Sequence, residues 1–155
     1  MNPRVAIVMG SRSDAEVMQT AEEFLAYFGI DFEIHVMSAH RTPEDVARFA
    51  GDAEKAGFAA IIAGAGMAAH LPGVIASYTP LPVIGVPLSG SALNGVDALY
   101  AIVQMPQGVP VATMAIGKAG AGNAAIFVAE MLASQYETVR QKLLAFRKNK
   151  CQLPK

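Results

Sequence analysis

A long central segment of this chain carries no charge: no Asp, Glu, Lys or Arg occurs from Ala56 to Val96. Between Ala56 and Ala129 only Asp97 and Lys118 are charged. Water solvates such a segment poorly, so it must be buried in a membrane, in a protein core or between subunits. The glycines, prolines and His70 within it would leave polar groups unsatisfied in lipid. We therefore predict burial partly inside the domain and partly against other subunits, in a closed homo-oligomer.

The remaining composition excludes several classes of protein. The chain has 155 residues, enough for one core, and we predict a single catalytic domain over residues 1–155. With 53% hydrophobic and 16% charged residues, disorder and coiled coil are excluded. A net charge of -1 gives no overall attraction to nucleic acid or to an anionic membrane, so we expect neither as a partner. Cys151 is the only cysteine, which excludes a disulfide within the chain and indicates a reducing, cytoplasmic location.

Five apolar runs of strand length alternate with segments of helical periodicity. The predicted strands are Val5–Met9, Phe32–Met37, Ala59–Ala63, Val83–Val86 and Val109–Ala115. The predicted helices run from Ser13 to Gly29, Thr42 to Gly57, Ala68 to Ser77, Asn94 to Gln104, Ala119 onward, and about Tyr136 to Lys150. Parallel strands need crossover connections, so this alternation predicts an α/β fold. We expect a flavodoxin-like three-layer αβα sandwich with a five-stranded parallel sheet in the order 2-1-3-4-5.

Two helices have recognisable starting signals. Ser13 with Glu16 three residues later matches a capping box, in which each side chain bonds the other residue's backbone N–H. Thr42 is the predicted N-cap of the second helix, and Pro43 occupies its first helical position. Both signals place a loop directly after a strand and directly before a helix.

Polar residues gather after the first three strands. In open α/β sheets, ligands bind outside the carboxyl ends of the strands near the topological switch point. With the predicted strand order, the loops Gly10–Asp14, Ser38–Pro43 and Gly64–Gly73 adjoin one another. We therefore expect these three loops to form one pocket.

The first loop offers groups that suit a phosphorylated ribose. Ser11 and Ser13 supply hydroxyls and backbone N–H groups at a helix N-terminus, and Asp14 can accept two hydrogen bonds from sugar hydroxyls. The alternative is purely structural: Ser13 caps the helix and Asp14 interacts with its dipole. The loop contains neither a Walker lysine nor a GxGxxG pattern.

The second and third loops carry two histidines. His40 can exchange protons near neutral pH, and the adjacent Arg41 can hold a phosphate through two parallel bonds. The alternatives are a surface pair without function, and for His70 a hydrogen-bonded structural role. His35 lies inside the second strand and is interpreted as structural. We expect no metal site, because no further Cys or acidic cluster accompanies these histidines.

Five segments carry a resemblance to a known family. They are GSRSD (Gly10–Asp14), SAHRTP (Ser38–Pro43), GAGMAAHLPG (Gly64–Gly73), IVQMP (Ile102–Pro106) and AIGKAGAGNAA (Ala115–Ala125). In this order, over nearly the whole chain, they resemble the bacterial N5-carboxyaminoimidazole ribonucleotide mutase family (PurE, class I). The resemblance implies a flavodoxin-like homo-octamer that converts its ribonucleotide substrate to 4-carboxy-5-aminoimidazole ribonucleotide in purine (IMP) biosynthesis. It also implies that no metal, ATP or organic cofactor takes part.

The resemblance further implies roles for individual residues. His40 would be the catalytic proton carrier, and His70 would line the carboxylate side of a small, dry pocket. The substrate-binding residues implied are Ser11, Ser13 and Arg41 for the phosphate, Asp14 for the ribose, and also Ser38, Gly66 and His70.

Two positions distinguish this chain within the resemblance. Met67 stands where the family usually has a glycine, which bears on the backbone geometry of the third loop. Arg41 stands where related carboxylases that use free carbon dioxide tend to have lysine, which favours the mutase. A carboxylase of the same fold, and a module that binds a nucleotide or flavin mononucleotide without chemistry, remain the alternatives. A carboxylase would depend on bicarbonate, and a flavin protein would be yellow.

Overall fold

The computed structural model describes residues 2–154, which contain one five-stranded parallel sheet with the order β2-β1-β3-β4-β5. The strands are β1 (Arg4–Met9), β2 (Asp31–Val36), β3 (Ala60–Gly66), β4 (Val83–Leu88) and β5 (Ala112–Thr113). All four neighbouring pairs run parallel. The predicted fold class and strand order are confirmed.

Helices cover both faces of the sheet. They are α1 (Ala15–Phe28), α2 (Pro43–Asp52), α3 (Leu71–Tyr78), α4 (Val96–Val103), α5 (Lys118–Leu132) and α6 (Glu137–Lys148). Helices α1, α5 and α6 pack on one face, and α2, α3 and α4 pack on the other. The two faces follow from strand geometry, because successive side chains point to opposite sides. In β1, Val5 and Ile7 contact the first group of helices, whereas Ala6 and Val8 contact the second.

The charge-free segment has a simple explanation within one subunit. It contains β3 and β4, in which every residue except Gly66 is buried. Strands covered on both faces are continuously apolar, since neither side of the strand meets water. The two strands are therefore buried inside the domain, as one part of the prediction stated, and burial of the rest of the segment against other subunits stays a prediction. No helix within residues 2–154 is long and apolar enough to cross a membrane.

Several element boundaries differ from the predicted ones. The second helix ends at Asp52 rather than Gly57, because residues 53–57 form turns that finish at Gly57 with φ +87°. Strand β5 has only two residues, and Pro110, which cannot donate a ladder hydrogen bond, precedes it. Strand β3 continues to Gly66, which pairs with Leu88 of β4. The first three residues of the predicted third loop therefore belong to the sheet.

Gly120 fixes how the chain enters α5. A Cβ atom at this position would lie 1.6 Å from the carbonyl oxygen of Ala115. Only glycine fits there, because no side chain could move away from a backbone atom that close. The glycine-rich segment from Ala115 onward thus lets the chain fold back tightly before α5, which packs against α1.

Candidate active site

The three polar loops begin at one level on the carboxyl edge of the sheet. Met9, the last residue of β1, pairs with Val36 of β2 and with Gly64 of β3. The Met37 N–H also donates to the Met9 carbonyl oxygen over 3.0 Å, which extends the pairing of the first two strands. The parallel register therefore brings the loops after β1, β2 and β3 side by side.

In the first loop, Ser11 rather than Ser13 is the capping residue. Its Oγ accepts the Ser13 N–H over 3.3 Å and the Ser13 hydroxyl over 2.9 Å. The Asp14 carboxylate accepts the Ser11 N–H over 3.0 Å, which completes a capping box around the single 3-10 turn Arg12–Asp14. The predicted Ser13–Glu16 box is wrong, because the 3-10 turn precedes α1 and moves the capping position back by two residues. The box still leaves the two serine hydroxyls exposed beside a half-buried carboxylate.

Asp14 is held in an electrostatically unfavourable position. Burial raises the pKa of its carboxyl above the ordinary value, and the hydrogen bond from the Ser11 N–H opposes this only in part. A carboxylate that has lost part of its hydration gains from new hydrogen-bond donors. Asp14 is therefore suited to accept ligand hydroxyls.

The second loop is held by Ser38. Its Oγ accepts the backbone N–H groups of His40 over 3.3 Å and Arg41 over 3.2 Å. The hydroxyl keeps its own proton for another acceptor, since both of these bonds use oxygen lone pairs. The side chain of Arg41 is exposed, and among residues 2–154 no carboxylate lies within ion-pairing distance of it. A planar guanidinium without a partner is ready to bind an anion through two bonds.

The second and third loops meet through their histidines. His40 Nε2 lies 2.8 Å from His70 Nδ1, with the two rings at 87° and their centroids 4.9 Å apart. His70 is the N-cap residue of α3, so it stands at the start of a helix that packs on the sheet. The contact pairs the two imidazoles that the sequence placed on separate loops.

The third loop adopts a backbone conformation that glycine prefers. Met67 has φ +55° and an exposed side chain. At Gly66, a Cβ atom would lie only 3.2 Å from the Leu88 carbonyl oxygen. Positive φ is costly for residues with a Cβ, so Met67 is accommodated at some expense to folding stability.

The predicted site residues are brought to one rim, but the rim is open. Ser11, Ser13, His40, Arg41 and His70 are all exposed in the single chain. Cavities of about 520 and 410 Å³ lie beside α6 instead and contain none of these residues. In one subunit these side chains line an open rim, and the small, dry pocket stays a prediction.

His35 lies within β2 and away from this rim, in agreement with its interpretation as a structural residue. Its ring is 4.5 Å from that of Phe49 and 6.1 Å from that of Phe58, between β2 and its covering residues. Its Nε2 atom lies 3.5 Å from a carboxylate oxygen of Glu33.

Sequence reasoning missed two contacts of polar residues near the site. The Thr42 hydroxyl bonds back to Ser38 instead of capping α2, and Lys118 at the start of α5 pairs with Glu16 in the first turn of α1 over 3.0 Å. The contact between Thr42 and Ser38 could have been predicted from the sequence, because these two hydroxyl residues lie four positions apart on either side of His40 and Arg41. No local signal predicts the second, which joins residues from distant parts of the chain.

The fold is that of a doubly wound α/β protein, and the candidate ligand site lies at the carboxyl edge of the sheet, where such proteins bind their ligands. The AIR carboxylase family (AIRC) matches residues 4–152. The chain belongs to this family.

Curated relatives and solved structures agree with this membership. The chain is 55% identical over 148 residues to the N5-carboxyaminoimidazole ribonucleotide mutase of Escherichia coli (strain K12), covering 95% of this chain and 88% of that protein. It is 56% identical over 144 residues to the mutase of Saccharolobus solfataricus, covering 93% and 90%. The crystal structure of Treponema denticola PurE has a TM-score of 0.87 and 26% identity, covering 97% and 93%. A 3-dehydroquinate dehydratase-like protein from Bifidobacterium longum, with a TM-score of 0.56, 16% identity and coverage of 84% and 98%, shares the fold alone.

Proposed function

We propose that this protein is a mutase that converts N5-carboxyaminoimidazole ribonucleotide to 4-carboxy-5-aminoimidazole ribonucleotide in purine biosynthesis. The observation that carries the proposal is the position of His40, which is 2.8 Å from His70 and next to the exposed Arg41. The names of the curated relatives support the same activity.

The substrate binds across the first two loops. Ser11, Ser13 and Arg41 hold the phosphate through hydroxyls, backbone N–H groups and the guanidinium. Asp14 accepts the ribose hydroxyls, which compensates the hydration that burial has removed from its carboxylate. These contacts place the imidazole base toward the second and third loops.

The reaction needs one group that gives and takes back a proton. Protonated His40 donates to the nitrogen that bears the carboxylate, the N–C bond breaks, and carbon dioxide and aminoimidazole ribonucleotide form. The ring carbon then attacks carbon dioxide, a C–C bond forms, and the proton on that carbon returns to His40. The sum is an isomerisation, so His40 ends as it began and no outside reagent is consumed.

Ser38, Gly66 and His70 surround the carboxyl group during this transfer. At Gly66 a Cβ atom would lie 3.2 Å from the Leu88 carbonyl oxygen, so a side chain there would crowd the end of β4. The Ser38 hydroxyl and the His70 ring supply polar groups on the other sides. Carbon dioxide must be held until the carbon attacks, so the site must be closed to solvent.

A second copy of the chain provides that closure in our proposal. The residues of the rim are exposed in one subunit, and large apolar side chains are exposed on and beside α4 and at the end of α3. They are Tyr78, Leu93, Val96, Tyr100 and Val103. An apolar surface of this kind is typical of a subunit interface. The assembly is a homo-oligomer, an octamer by family resemblance, formed by single-domain subunits and located in the cytoplasm.

The activity is tested with purified protein and N5-carboxyaminoimidazole ribonucleotide, with and without ¹³C-labelled bicarbonate. A mutase forms product at the same rate in both conditions and incorporates almost no label, because it transfers the substrate's own carboxyl group. A carboxylase, the activity that names the family, would use aminoimidazole ribonucleotide and incorporate label. No product from the N5-carboxylated substrate, or a yellow protein that binds flavin, would refute the proposal. Light scattering on the same sample tests assembly, and a stable monomer would refute the interface.

A further inference from the structure

The hydroxyl of Thr42 does not cap the helix that Thr42 precedes. Thr42 is the N-cap residue of α2, but its side chain makes no hydrogen bond to the helix. A threonine at this position ordinarily accepts a backbone N–H from the first turn and stabilises the helix end. Here the Oγ1 atom accepts the Ser38 N–H over 3.0 Å and donates to the Ser38 carbonyl oxygen over 3.2 Å.

These bonds close the loop that presents His40 and Arg41. A third bond joins the same two residues, because the Thr42 N–H also donates to the Ser38 carbonyl oxygen, over 2.9 Å. The Ser38 hydroxyl in turn accepts the N–H groups of His40 and Arg41. Five hydrogen bonds therefore converge on Ser38, three from Thr42 and two from the residues between them.

We propose that Thr42 is a positioning residue for the mutase reaction, whose hydroxyl holds His40 at bonding distance from His70. This inference rests on the proposed function. Without the Thr42 hydroxyl, the Ser38 N–H has no acceptor in this loop. The Ser38 carbonyl oxygen then accepts only the Thr42 N–H. The half-buried backbone of Ser38 then bonds to water, and the loop gains conformations in which His40 no longer faces His70. The diverted cap is consistent with this, because the hydroxyl gives up a helix-stabilising bond to order the loop.

A merely structural role predicts a different result. If the hydroxyl only stabilised the start of α2, its loss would lower the melting temperature and leave turnover per folded subunit unchanged. If it positions His40, turnover falls in protein that is folded and assembled. Small displacements of a catalytic group have large kinetic effects, so the two roles can be separated.

The test compares Thr42→Val, which keeps the shape and removes the hydroxyl, with Thr42→Ser, which keeps the hydroxyl. We expect kcat to fall about tenfold or more in Thr42→Val and to stay within about threefold of wild type in Thr42→Ser. Thr79→Val is the matched control, because the Thr79 hydroxyl also makes a local bond, to the Leu81 N–H over 3.3 Å, at the opposite edge of the sheet. Its kcat should be unchanged.

Crystal structures of the same variants provide a readout that does not depend on activity. The distance from His40 Nε2 to His70 Nδ1 should stay near 2.8 Å in Thr42→Ser and exceed hydrogen-bond range in Thr42→Val. A wild type without mutase activity refutes the proposed function, and these distances then decide the role of Thr42 alone. Wild-type kcat in folded Thr42→Val, or a retained histidine contact there, overturns the inference. If Thr42→Val does not fold, Thr42→Ser decides, since a folded serine variant with a tenfold loss contradicts it.

Discussion

The Nε2 atom of His40 and the Nδ1 atom of His70 lie 2.8 Å apart, so the two imidazoles share one hydrogen bond. One ring must donate and the other accept, and therefore only one of these two nitrogens carries a proton. The bond joins the loop after β2 to the loop after β3 and fixes the orientation of the His40 ring. The remaining nitrogen of His40, Nδ1, is left for other partners, among them the substrate.

Replacing His40 with Asn should abolish most of the activity. Asn keeps hydrogen-bonding capacity but cannot exchange a proton, so we expect folded, assembled protein with turnover lower by about 10²-fold or more. His70→Asn should have a smaller effect, because His40 keeps its imidazole. His35→Asn is the control, since His35 packs against Phe49 and not at the rim. Steady-state kinetics decide, and His40→Asn turnover within about threefold of wild type would contradict the mechanism.

Replacing Arg41 with Lys should weaken nucleotide binding although the charge is kept. An ammonium group cannot form the two parallel bonds that a guanidinium makes to phosphate. Ser11→Ala should act in the same direction, because it removes the oxygen that organises the first loop. Arg48→Lys is the control, since Arg48 pairs with Asp45 on α2 outside the loops. Titration calorimetry with aminoimidazole ribonucleotide measures the affinities, and unchanged values in both variants would remove these residues from the site.

Asp14→Asn should weaken nucleotide binding and raise the free energy of unfolding. The size of the stability gain should depend on pH. Burial raises the pKa of Asp14 in the folded state, so its contribution to stability is present at acid pH and is lost as pH rises through the raised pKa. At neutral pH the ionised carboxylate opposes folding, and Asn removes that cost while Oδ1 can still accept the Ser11 N–H. The variant should therefore gain in free energy of unfolding relative to wild type at neutral pH, and less at about pH 4.

Urea unfolding at the two pH values tests this, with nucleotide affinity measured in parallel. Asp52→Asn, an exposed change at the end of α2, shows the general effect of losing one carboxylate. A gain that grows toward acid pH would contradict the sign derived from burial. Unchanged affinity would show that Asp14 does not hold the ribose.

Met67→Gly should be more stable than Met67→Ala. Both variants lose the same exposed side chain, but only glycine adopts the φ of +55° without a Cβ clash. The relief in the folded state, roughly 1–2 kcal/mol, exceeds the 0.5–1 kcal/mol or so that glycine costs through the unfolded chain. We expect the free energy of unfolding of the glycine variant to exceed that of the alanine variant by up to about 1.5 kcal/mol. Equal thermal stability of the two variants would show that the loop relaxes to another conformation when the side chain is removed.

Much of the fold follows from local pattern. The runs Val5–Met9 and Val83–Val86 are apolar on both sides, and only a strand covered on both faces buries such a run completely. Polar residues after consecutive parallel strands must share an edge, which places Ser11, Ser38 and His70 together. Boundaries were less predictable. Strand β5 is short because Pro110 precedes it, and the capping box forms around a 3-10 turn that comes before α1 rather than at the start of α1 itself.

The sequence alone determined the class of fold and the residues that follow the carboxyl ends of the strands, because hydrophobic periodicity is local and parallel strands need crossover connections. Only the tertiary structure decided the contacts between loops. His40 and His70 are 30 positions apart, and their 2.8 Å contact depends on the register of β1 between β2 and β3. The diversion of the Thr42 hydroxyl to Ser38 likewise depends on backbone geometry that residue types do not specify. Hydrogen bonds are directional over a few tenths of an ångström, and such distances arise only when the whole sheet has packed.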